Sequence, residues 1–316
     1  MPVIWDEVNS RSRSSRPAGG AVGDGQQPMT DKRVAVIIPA FRAESLIGQA
    51  VGSVVGQSHE DWELWVIADD GQDYEEVLAE QGFRDKRRFR FLSSGRVGAG
   101  ASRARNLALD RIDTPYAAVL DADDRMKPDK LTRAVALLND HPIVSVALDV
   151  MDDSYRRLRL VGAGTDKLLT PSQYKFTSLS MDSMIVWDRR KTDARYDLNL
   201  SNMTDLELLM QLWQKAPTTF HIGTPLHDYV KLPQSMSNGS DVTEGMIRSK
   251  KALLERLEQR HYRLDGKATE GLAAFLGISL AAEAAYPMAL RDRPGLLFED
   301  HLEPMLRTYE ARTRLS

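Results

Sequence analysis

No cysteine occurs among the 316 residues. Disulfides and thiolate metal sites are therefore excluded, and a reducing compartment is permitted. No apolar run approaches the ~18 residues of a spanning helix, and the polar amino terminus has no apolar core of a signal sequence. The expectation is a soluble, cytoplasmic protein without a membrane span, with peripheral contact at the inner face of the membrane left open. No long basic block is present and the formal charge is -3, which argues against a nucleic-acid binder that works by neutralising phosphates. No Gly-Lys-Ser or Gly-Lys-Thr occurs, and the first strand-like run, Val34 to Ile38, has no glycine. ATPase and dehydrogenase readings fall away with the missing phosphate loops.

With 42% hydrophobic residues the chain can bury a sizeable core in one large domain or two. Residues 1–32 read as a disordered tail, because Asn9 to Gln27 is rich in Ser, Arg and Gly and cannot repay the entropy of ordering; Met29 is an alternative start. From Arg33 onward, strand-like and helix-like segments alternate: Val34 to Ile38, Glu44 to Gln57, Trp62 to Ala68, a helix after Gln72, Arg88 to Leu92, Ala101 to Asp110, and Tyr116 to Leu120. That alternation predicts an α/β fold with a largely parallel sheet and helices on both faces. Ligands of such sheets bind beyond the carboxyl ends of the strands. Four loops lie there.

The fourth is the most informative. Tyr116-Ala-Ala-Val-Leu-Asp-Ala-Asp-Asp124 is an apolar run ending in three carboxylates. If the run is a strand, Asp121 and Asp123 leave it at i and i+2 on one face and can hold a hard cation, Mg²⁺ or Mn²⁺, whose open positions suit a diphosphate. An acidic turn is the plainer alternative. The first loop, Pro39-Ala-Phe-Arg-Ala-Glu44, offers Pro39, Phe41 and Glu44; Pro39 lacks an N–H and would end the ladder. In the second, Asp69 and Asp70 could meet a base and a ribose, or form an Asp-Gly turn. In the third, Gly98 to Asn106, backbone N–H groups with Arg103 or Arg105 could hold a phosphate, or simply cap a helix.

The segments VAVIIPAF, ELWVIADDG, GAGASRARNLAL and YAAVLDADDRMKP, spanning about Val34 to Pro128, together closely resemble the nucleotide-sugar half of inverting family 2 glycosyltransferases with the GT-A fold. The resemblance implies a mixed, Rossmann-like sheet flanked by helices. It implies that Pro39 and Phe41 line a base pocket, Asp69 or Asp70 meets base and ribose, Asp121 touches the ribose or the metal, and Asp123 ligates the metal. Receiver-type and dehalogenase-type readings of the acidic loops fit less well, since both need their acidic residues after the first strand.

The second half reads as strands at Ile143 to Val150 and Ser180 to Trp187 and a helix from Asn202 to Trp213, with Thr204 and Glu207 as a capping box and Asp205 as the first helical residue. The resemblance gives Asp205 the role of catalytic base toward an acceptor hydroxyl; helix-dipole complementarity alone would also place an acid there. Tyr229 to Ser237 resembles the family's closing loop, with Val230 and Leu232 where an arginine and a histidine are usual; Lys231 could supply the missing charge over the diphosphate. His221 and His227 are off register and read as surface or packing residues. The domain reading is 33–240 for the GT-A unit, divided at 128 into nucleotide-sugar and acceptor halves, and 241–316 for a helical extension with apolar stripes at Ile247, Leu253, Leu254, Leu257 and Leu272 to Ala285. That extension could pack on the core or form a homodimer. The implied activity is metal-dependent transfer of a sugar from a nucleotide diphosphate sugar, of uridine type, to a saccharide or lipid-linked acceptor, with a non-catalytic nucleotide-sugar binder or scaffold on the same fold as the alternative.

Overall fold

The computed structural model describes residues 31–179, 182–232 and 240–313. The expected disorder of Asn9 to Gln27 and the closing-loop residues from Pro233 to Ser237 lie outside the described residues. Four strands start the sheet: the largely buried, apolar β1 (Val34–Ala40), β2 (Trp62–Ala68) and β4 (Tyr116–Val119), and the half-buried edge strand β3 (Phe89–Ser93). They pair in parallel in the order β3-β2-β1-β4, and the helices α1 (Ile47–Val55), α2 (Tyr74–Glu80) and α3 (Ala101–Leu109) form the crossovers. Helix α1 buries Ile47, Ala50, Val51 and Val54, one face at helical spacing.

Beyond β4 the sheet becomes mixed, as the resemblance implied and as strand alternation alone did not. After the two-residue β5 (Arg125–Met126) come α4 (Lys130–Leu137), β6 (Ile143–Met151), β7 (Arg157–Val161), β8 (Lys167–Leu169) and α5 (Pro171–Thr177). They are followed by β9 (Val186–Asp188), α6 (Thr204–Trp213) and β10 (Thr219–Val230). Strand β9 joins β4 to β6 with antiparallel pairing on both sides. Strand β10 runs parallel to β6 and antiparallel to β5 and β8.

Four local expectations are corrected. Helix α1 begins at Ile47 rather than Glu44, after a turn closed by Leu46 N–H to the Ala43 carbonyl. Pro39 does not end the ladder: β1 continues through Ala40, in register with Ala68. Its imide nitrogen shares the side of β1 from which Ile37 bonds Leu120, and β4 has already turned away there, so the missing donor costs nothing. The expected strand from Ser180 to Trp187 is instead a 3₁₀ turn at Asp182–Met184 followed by the short β9. Helix α6 has no capping box. Met203, with φ of 60°, is its cap, and Glu207 accepts from the Tyr262 hydroxyl and the Gln211 amide instead.

The extension forms α7 (Ser240–Glu258), α8 (Gly266–Asp292) and α9 (Phe298–Thr313). Leu253, Leu257, Leu272, Phe275, Leu276, Leu302 and Leu306 are buried in the same core as the sheet. Helix α8 touches α5, α7 and α9. Its 27 residues are long and apolar enough by length and composition to cross a membrane, with a third of the apolar window buried in the protein. This overturns the reading that no such run exists; alanine and glycine spread the apolarity so thinly that it does not stand out. Helix α9 is fastened at its acidic start: Glu299 holds Lys231 at 2.8 Å, and Glu303 holds Arg159 at 2.7 Å with Asp300 on the same guanidinium.

Candidate active site

The carboxyl ends of β1, β2 and β4 and the loop after β3 meet at one edge of the sheet. Phe41 stands there 43% exposed, with the Arg42 guanidinium 5.1 Å over its ring. An exposed aromatic at this edge is a stacking surface for a flat ligand. Glu44 is exposed and Pro39 half-buried. Asp70 accepts from the backbone N–H of Arg42 at 2.5 Å, that of Gln72 at 3.0 Å and the Tyr74 hydroxyl at 2.9 Å. Burial pushes its carboxyl up, and those hydrogen bonds more than offset the push, leaving it below the usual carboxylate range.

Asp69 is turned inward. Its carboxylate accepts from Ala99 N–H at 2.9 Å and Gly100 N–H at 2.8 Å, and its carbonyl accepts from Gly98 N–H at 2.7 Å. The glycine-loop amides that the sequence offered to a phosphate are thus spent on Asp69, and the start of α3 is locked to the end of β2. Gly98 and Gly100 adopt φ of 69° and 97°, conformations that suit glycine. The two arginines separate: Arg103 is exposed and bonds the Ser94 carbonyl, whereas Arg105 is buried beneath the site.

After Leu120 the chain turns, closed by Asp124 N–H to the Asp121 carbonyl at 3.0 Å. Asp121 and Asp123 are half-buried at its lip. The Asp123 carboxyl is pushed up to about 6, first by burial and then by the charge of Asp121. Two carboxylates that repel each other in a half-closed pocket fit a hard divalent cation with positions left over for diphosphate oxygens. Among the described residues no group of three or more His, Cys, Asp or Glu is arranged for a metal, so the protein's share of such a site would be these two.

Asp124, which the sequence reading left without a role, is fully buried. It accepts from Val230 N–H at 2.8 Å and faces His227 Nε2 at 3.3 Å, while His227 Nδ1 meets Lys130 Nζ at 2.9 Å. His227 and Lys130 are likewise 0% exposed. This Lys130-His227-Asp124 row staples the acidic loop to the end of β10. A lysine on the apolar face of α4 was its only trace in the sequence. His221 is buried as well, bonded to Ser145 and to the Gly162 carbonyl; both histidines are packing residues and neither is on the surface.

Asp205 lies in the first turn of α6. Its Oδ1 is buried without a hydrogen-bond partner and sits 3.4 Å from Arg105 Nη1. Burial pushes the Asp205 carboxyl up; Arg105 pulls it down, Asp121 and Asp182 add to the rise, and the net direction is up. Burial thus outweighs the charge of Arg105, and the carboxylate is more basic than an exposed aspartate. Lys231, expected over a diphosphate, has its ammonium held by both oxygens of Glu299 at 2.8 Å.

The model of a family described as glycosyl transferase family 2 matches residues 35–184. TuaG of Bacillus subtilis, named as a teichuronic acid biosynthesis glycosyltransferase, is 27% identical over 211 residues, 65% of this chain and 81% of that protein. WfgD of Escherichia coli, named as a UDP-Glc:alpha-D-GlcNAc-diphosphoundecaprenol beta-1,3-glucosyltransferase, is 33% identical over 112 residues, 35% of this chain and 42% of that one, so the match spans less than half its length. Among solved structures, Staphylococcus aureus TarS 1–349 with UDP-GlcNAc superposes with a TM-score of 0.62 at 15% identity, covering 86% of this chain and 78% of that one. The mannosyltransferase PcManGT of Pyrobaculum calidifontis, with GDP-Man and Mn²⁺, gives 0.53 at 15% identity over 90% and 80%. These superpositions show the same fold.

Proposed function

We propose that this chain, which belongs to glycosyl transferase family 2, moves a hexose from a uridine diphosphate sugar to a hydroxyl of a saccharide or lipid-linked saccharide, with inversion at the anomeric carbon and with Mg²⁺ or Mn²⁺ held by Asp121 and Asp123. The observation that carries the proposal is the convergence on one sheet edge of the Asp121-Asp123 pair and, from α6, a half-buried Asp205 with one enclosed, unpartnered oxygen. UDP-GlcNAc in TarS and the UDP-Glc and diphosphoundecaprenol of the WfgD name support the donor and the acceptor class. The Mn²⁺ in PcManGT supports the cation.

In this reading Phe41 stacks on the base and Asp70 faces the donor from the neighbouring loop. Asp205 accepts the proton of the acceptor hydroxyl as its oxygen bonds the anomeric carbon. The carbon–oxygen bond to the diphosphate breaks on the opposite face, and its electron pair leaves with the nucleoside diphosphate. A divalent cation at Asp121 and Asp123 would supply Lewis-acid stabilisation of that leaving group. Asp205 needs only to be ionised, close and dry, and its raised basicity suits the task.

The test is transfer of labelled sugar from a panel of UDP-sugars to polyprenyl-diphosphate-linked and free saccharides, with Mn²⁺ or with EDTA, beside calorimetric UDP binding. The expected result is Mn²⁺-dependent transfer that Asp205→Asn reduces by roughly two to four orders of magnitude without weakening UDP binding. Cation-dependent UDP binding with no transfer to any acceptor would favour a nucleotide-sugar-binding module instead.

A further inference from the structure

Arg105 is one of the most buried charged side chains at the site, 5% exposed, and its guanidinium is divided between two carboxylates from distant parts of the chain. Nη2 donates to Asp121 Oδ1 at 2.6 Å, while Nη1 stops 3.4 Å from Asp205 Oδ1. The guanidinium carbon lies 5.0 Å from the centroid of the Tyr196 ring. Nε of Arg105 and Oδ1 of Asp205 are both buried without hydrogen-bond partners. The helix that carries Arg105 cannot drift, because its first turn is held by Asp69 through Ala99 and Gly100.

We infer that Arg105 is a positioning residue for the transfer step: it fixes the distance between the donor-side carboxylate Asp121 and the base Asp205, holding Asp205 through its enclosed Oδ1 and leaving the other oxygen to take the acceptor proton. This inference rests on the proposed role of Asp205. The asymmetry of the two contacts is its physical content. A short charge-assisted bond locks Asp121. Asp205 Oδ1 is enclosed 3.4 Å from the guanidinium, so the cation steadies the carboxylate from its buried side, and the 24% of the side chain that is exposed lies away from Oδ1, where an acceptor hydroxyl could reach it. Both arms of the fork are thereby committed, and the group is walled off from solvent, so the sequence expectation of a phosphate ligand is replaced by one of a brace between carboxylates. Lysine keeps the charge but cannot span two carboxylates with a rigid fork.

The test compares the full-length unmodified chain, Arg105→Lys, Asp205→Asn and the double variant for kcat, KM and calorimetric UDP affinity with Mn²⁺. Arg105→Lys is expected to lower kcat by about 10²-fold, the cost of a small misplacement of reacting groups, with UDP affinity within about threefold of the unmodified chain. In the Asp205→Asn background the same substitution is expected to change kcat by less than about threefold, because the group it positions is already gone. UDP affinity that falls in step with kcat, losses that multiply across the two sites, or an unchanged kcat would each overturn the inference. If Arg105→Lys does not fold, Tyr196→Leu removes the ring that the guanidinium lies over and keeps both carboxylates; its kcat loss must likewise vanish in the Asp205→Asn background, and a persistent loss overturns the inference. Absence of transfer by the unmodified chain overturns the functional reading and this inference with it, whereas transfer by that chain with Arg105→Lys equal to it overturns this inference alone.

Discussion

Without a cation, Asp123→Asn should make the protein more stable near neutral pH. The Asp123 carboxyl rises from an ordinary 3.8 to about 6 in the folded chain because it is half-buried and faces Asp121. The folded state therefore binds this proton more tightly than the unfolded state does. Stability from this group is fully present below about pH 4 and is lost as pH rises through about 6. Two pH units at about 1.4 kcal/mol each make the ionised group cost up to about 3 kcal/mol at pH 7.5. The asparagine has no charge to ionise, and it relieves buried Asp124 too, whose carboxyl is raised by burial and then by the charge of Asp123. At about 2 °C per kcal/mol for a chain of this size, the variant should melt roughly 6 °C higher than the unmodified protein at pH 7.5 in EDTA. The two should converge toward pH 4. The assay is thermal unfolding followed by circular dichroism from pH 4 to 8, in EDTA and then in Mn²⁺, where ligand linkage should raise the melting temperature of the unmodified chain and not that of the variant. A variant less stable than the unmodified chain at pH 7.5 in EDTA, or a difference that does not change with pH, would refute the reasoning.

Two further outcomes follow from buried groups. Asp124→Ala leaves the Val230 N–H and the Lys130-His227 pair without their hydrogen-bond partner; a loss of about 1–3 kcal/mol is expected in urea unfolding, and a loss below about 0.5 kcal/mol would show that the row is not a staple. Gly100→Ala meets no atom within 4 Å, so its cost is the backbone strain at φ of 97° alone, about 1–3 kcal/mol, with a weaker hold of Asp69 on α3; unchanged stability would show that the loop relaxes freely.

The donor side was legible because its chemistry follows strands in sequence. Apolar runs at Val34, Trp62 and Tyr116 announce the strands, and whatever comes next must lie at the sheet edge. Loop placement could be read; side-chain direction could not. Asp69 and Asp70 are adjacent letters, yet one turns in to the glycine loop and the other holds Arg42 and Tyr74. Arg103 and Arg105 are two residues apart on a helix, and their opposite exposure follows from about 200° of rotation, which spacing allows but does not assign. The capping box failed because Glu207 had a stronger partner in Tyr262, far along the chain. Tyr196, Asp182 and the Lys130-His227-Asp124 row were invisible for the same reason: their meaning is tertiary.

The Arg105 brace also bears on where this chain can be divided. Family similarity covers residues 35–184, and a fragment cut at that limit would retain Asp121 and Arg105 while discarding Asp205, Tyr196 and the whole of β10. Such a piece would lose more than the proposed base. It would keep an interior guanidinium with one of its two carboxylate partners removed and an acidic loop whose anchor strand is missing. The stretch that the family model matches is thus shorter than the stretch over which the Arg105 contacts and the β10 anchor are spread.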